Sequence, residues 1–308
     1  MSGFRVVVPA TTANLGPGFD CLGLALTLYN TLVVRPAASR QLVVEGAGAG
    51  ILAEDETNLV WRAACHLWRR VGHPEPTLAL YMHNAIPLSR GLGSSSAAIV
   101  AGLLLANWVA GEPLGQSELV ALATELEGHP DNVAPALLGG LVVSALDDSR
   151  VLTARFPWPT ELQLVVAVPE FELATQQARQ ALPATVAHGD AVFNASRVAL
   201  LLAALRSGDL DLLRQAADDR LHQPYRLPLI PGAAEAREGA ERAGALATVI
   251  SGAGPTLLAL VGPEQDPAVV GEAMRAGFAQ AGVVSHYLVL QPDLQGARIQ
   301  TIAQPSLP

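Results

Sequence analysis

Two hydrophobic periods run along this chain, and glycine and proline separate them. Phe4–Val8 is a short apolar strand that leads into a polar turn. Gly23–Val34 has the apolar character of a second strand, and Gln41–Glu45 reads as its pairing partner. Asn58–Val71 places apolar residues at helical spacing, with Thr57 as its N-cap. Thr77–His83 is extended. Ser96–Val109 is apolar nearly all round, the pattern of a buried helix. Ser117–Glu127 is helical with Ser117 at its cap, and Gly139–Ala145 returns to strand.

The stretch FPWPT, Phe156–Thr160, has two prolines, which interrupt helix and sheet ladders alike and mark a boundary. Two domains, 1–157 and 158–308, follow from it. Beyond the boundary, Leu162–Val168 is a buried strand, and Leu173–Leu182, Ala191–Arg206, Asp209–Asp218 and Ala233–Ala243 are helical. Leu246–Ile250, the turn SGAG, Thr256–Val261, a helix over Asp266–Ala281 and Val283–Leu290 complete the pattern. Helices interleaved with partly adjacent strands predict an α+β fold.

Composition narrows the function. The 308 residues are 50% hydrophobic, which is enough for a large core, and the net charge is -9. With that charge and no dense basic run, nucleic acid is excluded as a partner. No apolar run reaches the ~18 residues of a membrane span. Cys21 and Cys65 make no disulfide framework, and the N-terminus lacks a signal-peptide pattern, so a cytoplasmic protein is expected. All 19 Lys+Arg residues are arginine. A chain without lysine cannot be a P-loop NTPase, a protein kinase or a pyridoxal phosphate enzyme, each of which needs one at a defined place.

Against that background stands PLSRGLGSSSA, Pro87–Ala97. Gly91 and Gly93 let backbone N–H groups approach an anion closely. The start of the following helix adds unpaired N–H groups and a partial positive charge. Ser94, Ser95 and Ser96 add hydroxyls. Loop amides, hydroxyls and a metal ion together can hold a triphosphate without lysine. Arg90 either reaches a phosphate or faces water.

The whole string, Pro87, Leu88, Ser89, Arg90, Gly91, Leu92, Gly93, Ser94, Ser95, Ser96 and Ala97, resembles the ATP-binding signature of the GHMP kinases. PATTANLGPGFDCLGLAL, from Pro9, resembles the first motif of the homoserine kinases in that superfamily, where the residues matching Asn14 and Asp20 face the amino acid. SGAGPTLLAL, with Gly252 and Gly254, resembles the third motif, a loop that closes over phosphates and substrate. HPDNVAPALLGG, from His129, is also similar to the homoserine kinases. The resemblance implies a two-domain fold, with an S5-like N-terminal ATP-binding domain and a ferredoxin-like C-terminal α/β sandwich for substrate. It also implies Mg²⁺ held by Glu127 and Ser95, adenine contact from Asn58, and a substrate carboxylate gripped by Arg179 and Arg226. Thr175 shares a helical face with Arg179, and His129 stands near the substrate. Glu125 reads as a surface residue.

The activity so implied is transfer of the γ-phosphoryl of ATP to the side-chain hydroxyl of L-homoserine, giving O-phospho-L-homoserine for threonine biosynthesis, by a homodimer. Asp131 and Asn132 compete for the place where other GHMP kinases have a basic aspartate. Our reading is that Asn132 orients the hydroxyl and the proton passes to phosphate or water. The rival readings are a mevalonate- or shikimate-type kinase and a non-catalytic small-molecule sensor.

Overall fold

The computed structural model describes residues 3–148, 150–159 and 161–302. The first half contains β1 (Phe4–Ala13), β2 (Leu22–Pro36), β3 (Gln41–Gly46), α1 (Leu59–Val71), β4 (Leu78–Asn84), α2 (Ser94–Val109), α3 (Gln116–Glu127), α4 (Pro130–Leu138), β5 (Leu141–Asp147) and β6 (Arg150–Phe156). The second contains β7 (Gln163–Pro169), α5 (Thr175–Gln180), α6 (His188–Ser207), α7 (Leu210–Ala216), α8 (Gln223–Arg226), α9 (Ala233–Arg242), β8 (Ala247–Ile250), β9 (Leu257–Val261), α10 (Pro267–Gln280), β10 (Ser285–Leu290) and β11 (Arg298–Thr301). Thr160, the end of the proline-rich boundary, lies outside the described residues.

One sheet runs in the order β11-β1-β2-β4-β3, with β5 on the early part of β2 and β6 on β5. The other runs β10-β7-β9-β8, entirely antiparallel, the strand order of a ferredoxin-like layer. Along β7 the period-2 alternation divides two cores. Leu164, Val166 and Val168 join the core that continues into the first sheet and includes Leu201 of α6 and Leu213 of α7. Val165 and Ala167 face the other way, into a core roofed by Ala236 of α9 and Met274 of α10. Although it lies beyond the proline-rich boundary, β11 pairs antiparallel with β1 in the first sheet.

Several local expectations need correction. β3 pairs with β4, in parallel, and not with β2, because α1 lies between β3 and β4 in the chain and carries it back to the same end of the sheet. Thr57 does not cap α1. Its N–H and hydroxyl both donate to Asp55 Oδ1 (2.8 and 2.6 Å), and Asn58 is the cap, accepting from Val60 N at 2.9 Å. Ser117 lies inside α3, whose cap is Gly115, with Glu118 accepting from Gly115 N at 2.8 Å. The polar start of the first turn is still strand, since β1 runs to Ala13. The 222–232 segment, HQPYRLPLIPG, holds α8 and a 3-10 turn at Leu227–Leu229 in place of a plain loop.

α2 is the central helix, and its burial nearly all round matches its unbroken apolar sequence. It crosses α1 at Gly102, where any Cβ would strike the Val60 carbonyl. Trp68 of α1 donates its indole N–H to Ala106 O of α2 at 3.1 Å, which satisfies the one polar atom of a fully buried side chain. This packing fixes the N-terminus of α2 in place below the glycine-serine loop.

Candidate active site

The glycine-punctuated strings are distant in sequence and are stitched together by hydrogen bonds. Thr11 N donates to Leu92 O (3.1 Å), joining the first string to the second. Gly252 N donates to Ala13 O (3.1 Å), and Asn14 Nδ2 to Gly252 O (2.8 Å), joining the first to the third. Ser251 Oγ is 2.6 Å from Gly91 O and 2.9 Å from Thr12 Oγ1, joining the third to the second. Gly91 and Gly93 both have positive φ, of 71° and 70°. Ser251 O crowds the Cβ position of the first and Thr11 Oγ1 that of the second, so neither tolerates a side chain.

A cavity of about 360 Å³ opens where the strings meet. Every residue from Leu88 to Ser96 lines it, as do Asn14, Asp20, Asn58, Glu127, His129, Asp131, Asn132, Thr175, Arg179, Arg226 and Gly252. Pro87, Ala97 and Gly254 stand behind the wall. Ala97 is fully buried in α2, and Gly254 closes the third string by donating to Ser251 O at 2.9 Å. Leu52, Leu59 and Met82 make one apolar end, where Asn58 spends its amide on Val60 N and Ala53 O. Arg90 lines the cavity, but its guanidinium is held by the protein. It donates to the carbonyls of Leu88, Pro169 and Glu170 (3.1, 2.9 and 2.9 Å), pinning the loop to the second half of the chain.

At the start of α2, the hydroxyls of Ser95 and Ser96 both donate to Glu127 Oε1, at 2.7 and 2.8 Å. Among the described residues no group of three or more His, Cys, Asp or Glu is arranged around a metal position. A cation here would therefore draw its remaining ligands from a bound phosphate and water.

The charged end is built by α4, α5 and α8. Asp131 sits in the first turn of α4, where the helix dipole favours a carboxylate, and is 2% exposed. Its Oδ1 is 2.5 Å from His129 Nδ1 and accepts from Asn132 Nδ2 at 3.3 Å, while Asn132 Oδ1 accepts from Thr11 Oγ1 at 2.8 Å. Burial of the His129 ring disfavours its charged form. The hydrogen bond to Asp131 and the charges of Asp131 and Glu127 outweigh that and raise its pKa above the ordinary histidine value. Cys21, close to Asp131 and Asp20, is pushed up to about 11 by burial and then by those two charges, so it stays a neutral thiol.

Asp20 and Arg179 form a two-pronged pair, with nitrogen–oxygen distances of 3.1 and 2.8 Å. Arg226 is different. It is 2% exposed, and its guanidinium meets only neutral acceptors, Ala178 O at 3.3 Å, Gly252 O at 3.2 Å and His222 Nδ1 at 3.4 Å. No acidic side chain among the described residues pairs with it. Burial, and then the nearby Arg179 charge, lower its pKa from the usual guanidinium range.

Comparison with known proteins agrees with this geometry. Residues 58–140 match the GHMP kinases N terminal domain and residues 201–280 the GHMP kinases C terminal domain. A homoserine kinase of Moorella thermoacetica is 52% identical over 292 residues, covering 95% of this chain and 98% of its own. The chain belongs to the homoserine kinase family of the GHMP kinases. Another family member, from Crocosphaera subtropica, is 46% identical over 303 residues, covering 97% of this chain and 98% of its own. The crystal structure of the family's member from Cytophaga hutchinsonii superposes with a TM-score of 0.88 at 31% identity, covering 97% of this chain and 98% of that one.

For a member of this family, the sequence motifs located most of the cavity wall but missed residues that hold it from behind. Thr11, Thr12 and Ser251 sit inside or beside the quoted strings, and their hydroxyls could have been read there. Asn194, Asp219 and His222 lie in no glycine-rich string. Asn194 and His222 bond to Pro17 and Gly16, 177 and 206 positions away, and Asp219, which also accepts from Leu221, His222 and Gln223 beside it, reaches Asn194 across 25.

Proposed function

We propose that the chain transfers the γ-phosphoryl group of ATP to the side-chain hydroxyl of L-homoserine, giving O-phospho-L-homoserine on the route to threonine. Arg226 carries the choice of acceptor. A buried guanidinium without an anion is costly, and it faces the same cavity as the Asp20–Arg179 pair. An α-amino acid supplies what is missing. Its carboxylate matches the forks of Arg179 and Arg226, and its ammonium matches Asp20. The hydroxyl then extends toward Asn132 and the glycine-serine loop.

The loop and helix terminus would hold the triphosphate through backbone N–H groups between Gly91 and Ser96, while the apolar end with Asn58 would take the adenine. The residues present fit a magnesium ion, because Glu127 keeps one oxygen free of protein partners among the described residues while the serine hydroxyls hold the other. Ser95 and Glu127 would hold it, and its charge would offset that of the phosphoryl oxygens. Asn132, fixed by Thr11 and Asp131, would orient the acceptor hydroxyl, and the proton would leave to the phosphate or to a water. Catalysis in this reading is positioning and charge neutralisation.

The residues 1–157 would act as the ATP-binding unit and 158–308 as the acceptor-binding unit that brings Arg179 and Arg226 to an acceptor also held by Asp20 and Asn132 of the first. We also infer a cytoplasmic homodimer, in keeping with the two free thiols; a monomer by light scattering would remove the dimer. Among the described residues no helix is long and apolar enough to cross a membrane. An ADP-coupled assay with homoserine, mevalonate and shikimate tests the activity. Turnover confined to homoserine is the expected result, and none with homoserine would overturn the assignment.

A further inference from the structure

Behind the charged end lies a buried network that meets the cavity wall at Arg226. Asp219 is enclosed, with no side-chain exposure. Its Oδ2 accepts from the N–H groups of His222 (3.0 Å) and Gln223 (2.7 Å), and its Oδ1 accepts from Leu221 N (3.1 Å) and Asn194 Nδ2 (2.7 Å). Asn194 Nδ2 also donates to Pro17 O at 3.1 Å. The network therefore orders the turn before α8 and the 14–20 loop together.

His222 joins the two. It is fully buried, and its ring stacks on Phe19 with centroids 5.1 Å apart and an interplanar angle of 21°. Nε2 is 2.7 Å from Gly16 O, a carbonyl that can only accept, so Nε2 carries the proton. Nδ1 then presents a lone pair, and Arg226 Nη1 stands 3.4 Å from it. Burial favours this neutral ring, pulling its pKa below the ordinary value. Phe19 lies under the same guanidinium, 5.0 Å from Arg226 Cζ to the ring centroid.

We propose that His222 is a positioning residue for the acceptor: as the Nε2–H tautomer it ties the Gly16 carbonyl of the Asp20-bearing loop to the guanidinium of Arg226, and so sets the distance between the two charges that grip an α-amino acid. This rests on homoserine being the acceptor. Asn194 and Asp219 act through it, by holding the backbone on either side.

Two substitutions separate the two bonds of the ring. His222→Gln can still reach Gly16 O with an amide N–H but has no acceptor at the Nδ1 position. His222→Asn keeps an acceptor near that position and loses the reach to Gly16. Each variant is assayed with homoserine and with 3-aminopropan-1-ol, the same acceptor without its carboxylate. Expected for His222→Gln is a fall of roughly tenfold or more in the kcat/KM preference for homoserine over the amino alcohol, with the ATP KM within about twofold. His222→Asn should retain more of that preference. A preference unchanged in both variants, or homoserine and ATP KM values rising together as Tm falls, would overturn the proposal.

Should neither variant fold, ¹⁵N NMR of the histidine rings in the unsubstituted protein decides, because a proton found on His222 Nδ1 is incompatible with it. Homoserine turnover by the unsubstituted protein is measured first. Its absence would overturn the functional reading, whereas its presence with an unchanged preference would overturn this inference alone.

Discussion

Asp20 and Arg179 are 159 positions apart in the chain and meet as a parallel pair of charge-assisted hydrogen bonds at the mouth of the cavity. Both side chains are about a third exposed, at 36% and 37%. A pair so wetted stabilises the fold by at most about 1 kcal/mol. Its importance is where it holds two opposite charges, beside Arg226, which pairs with no acidic side chain among the described residues.

That third charge gives a prediction of opposite sign for stability and for function. Arg226→Met removes a buried cation that no carboxylate pairs with among the described residues, and it keeps most of the apolar stem. Tm should stay level or rise, while the homoserine KM rises by roughly a hundredfold and the ATP KM stays within about threefold. Thermal melts and steady-state kinetics on one preparation check both halves.

Glu127→Gln keeps an acceptor for the two serine hydroxyls but removes the negative charge. We expect the fold to persist by circular dichroism and kcat to fall by roughly 10²–10³. The Mg²⁺ concentration for half-maximal rate should rise as well. An unchanged Mg²⁺ dependence would place the ion elsewhere.

Asp131→Asn bears on the proton. With Asn132 orienting the hydroxyl and phosphate or water taking the proton, the loss in kcat should be no more than about tenfold, below the ~10²–10⁴ that a general base supplies. A near-complete loss of turnover with homoserine binding intact would make Asp131 the base.

His129 and His222 should give stability opposite pH dependences. The pKa of His129 is raised, so its contribution is complete below the ordinary value of 6.5 and fades as pH climbs through the raised value. The Tm gap between the unsubstituted protein and His129→Asn should therefore narrow with increasing pH. The pKa of His222 is lowered, so the folded state resists a proton that the unfolded chain accepts, and stability is lost as pH falls below 6.5. His222→Asn should lose less stability than the unsubstituted protein on acidification.

Gly93→Ala places a methyl group against Thr11 Oγ1 at a backbone φ of 70°. A cost of about 1–2 kcal/mol from the backbone alone is expected. Because Thr11 also orients Asn132, homoserine turnover should fall further than ATP affinity. Calorimetric titration with a non-hydrolysable nucleotide, set beside kcat, separates the two.

The sequence was most legible where one residue type serves one geometric need. Gly91 and Gly93 marked a tight loop because little else tolerates that backbone, and α2 was plain from its unbroken apolar run. β6 and α4 were not legible. β6 is an edge strand with most of its side chains in water, so it has no apolar alternation to read. α4 contains Asp131, Asn132 and Pro135, residues that ordinarily mark turns, yet it is wholly buried. There Gly23 of β2 comes so close to the Asp131 carbonyl, at the place where Pro135 offers no N–H, that a side chain would not fit. Arg226 needed its burial to be known before its want of an acidic partner among the described residues meant anything. Asn194 and His222 bond across 177 and 206 positions, distances that no local pattern encodes.

The pairing of β11 with β1 sets an order of events on the ribosome. Phe4 lies opposite Thr301, and Val7 opposite Arg298. β1 thus keeps one flank open until β11, some 285 positions later, has emerged. During that interval the strand that leads into the 14–20 loop is a sticky, half-clothed edge. Nascent copies translated side by side are at their most vulnerable to mispairing then, and a slow ribosome lengthens the exposure.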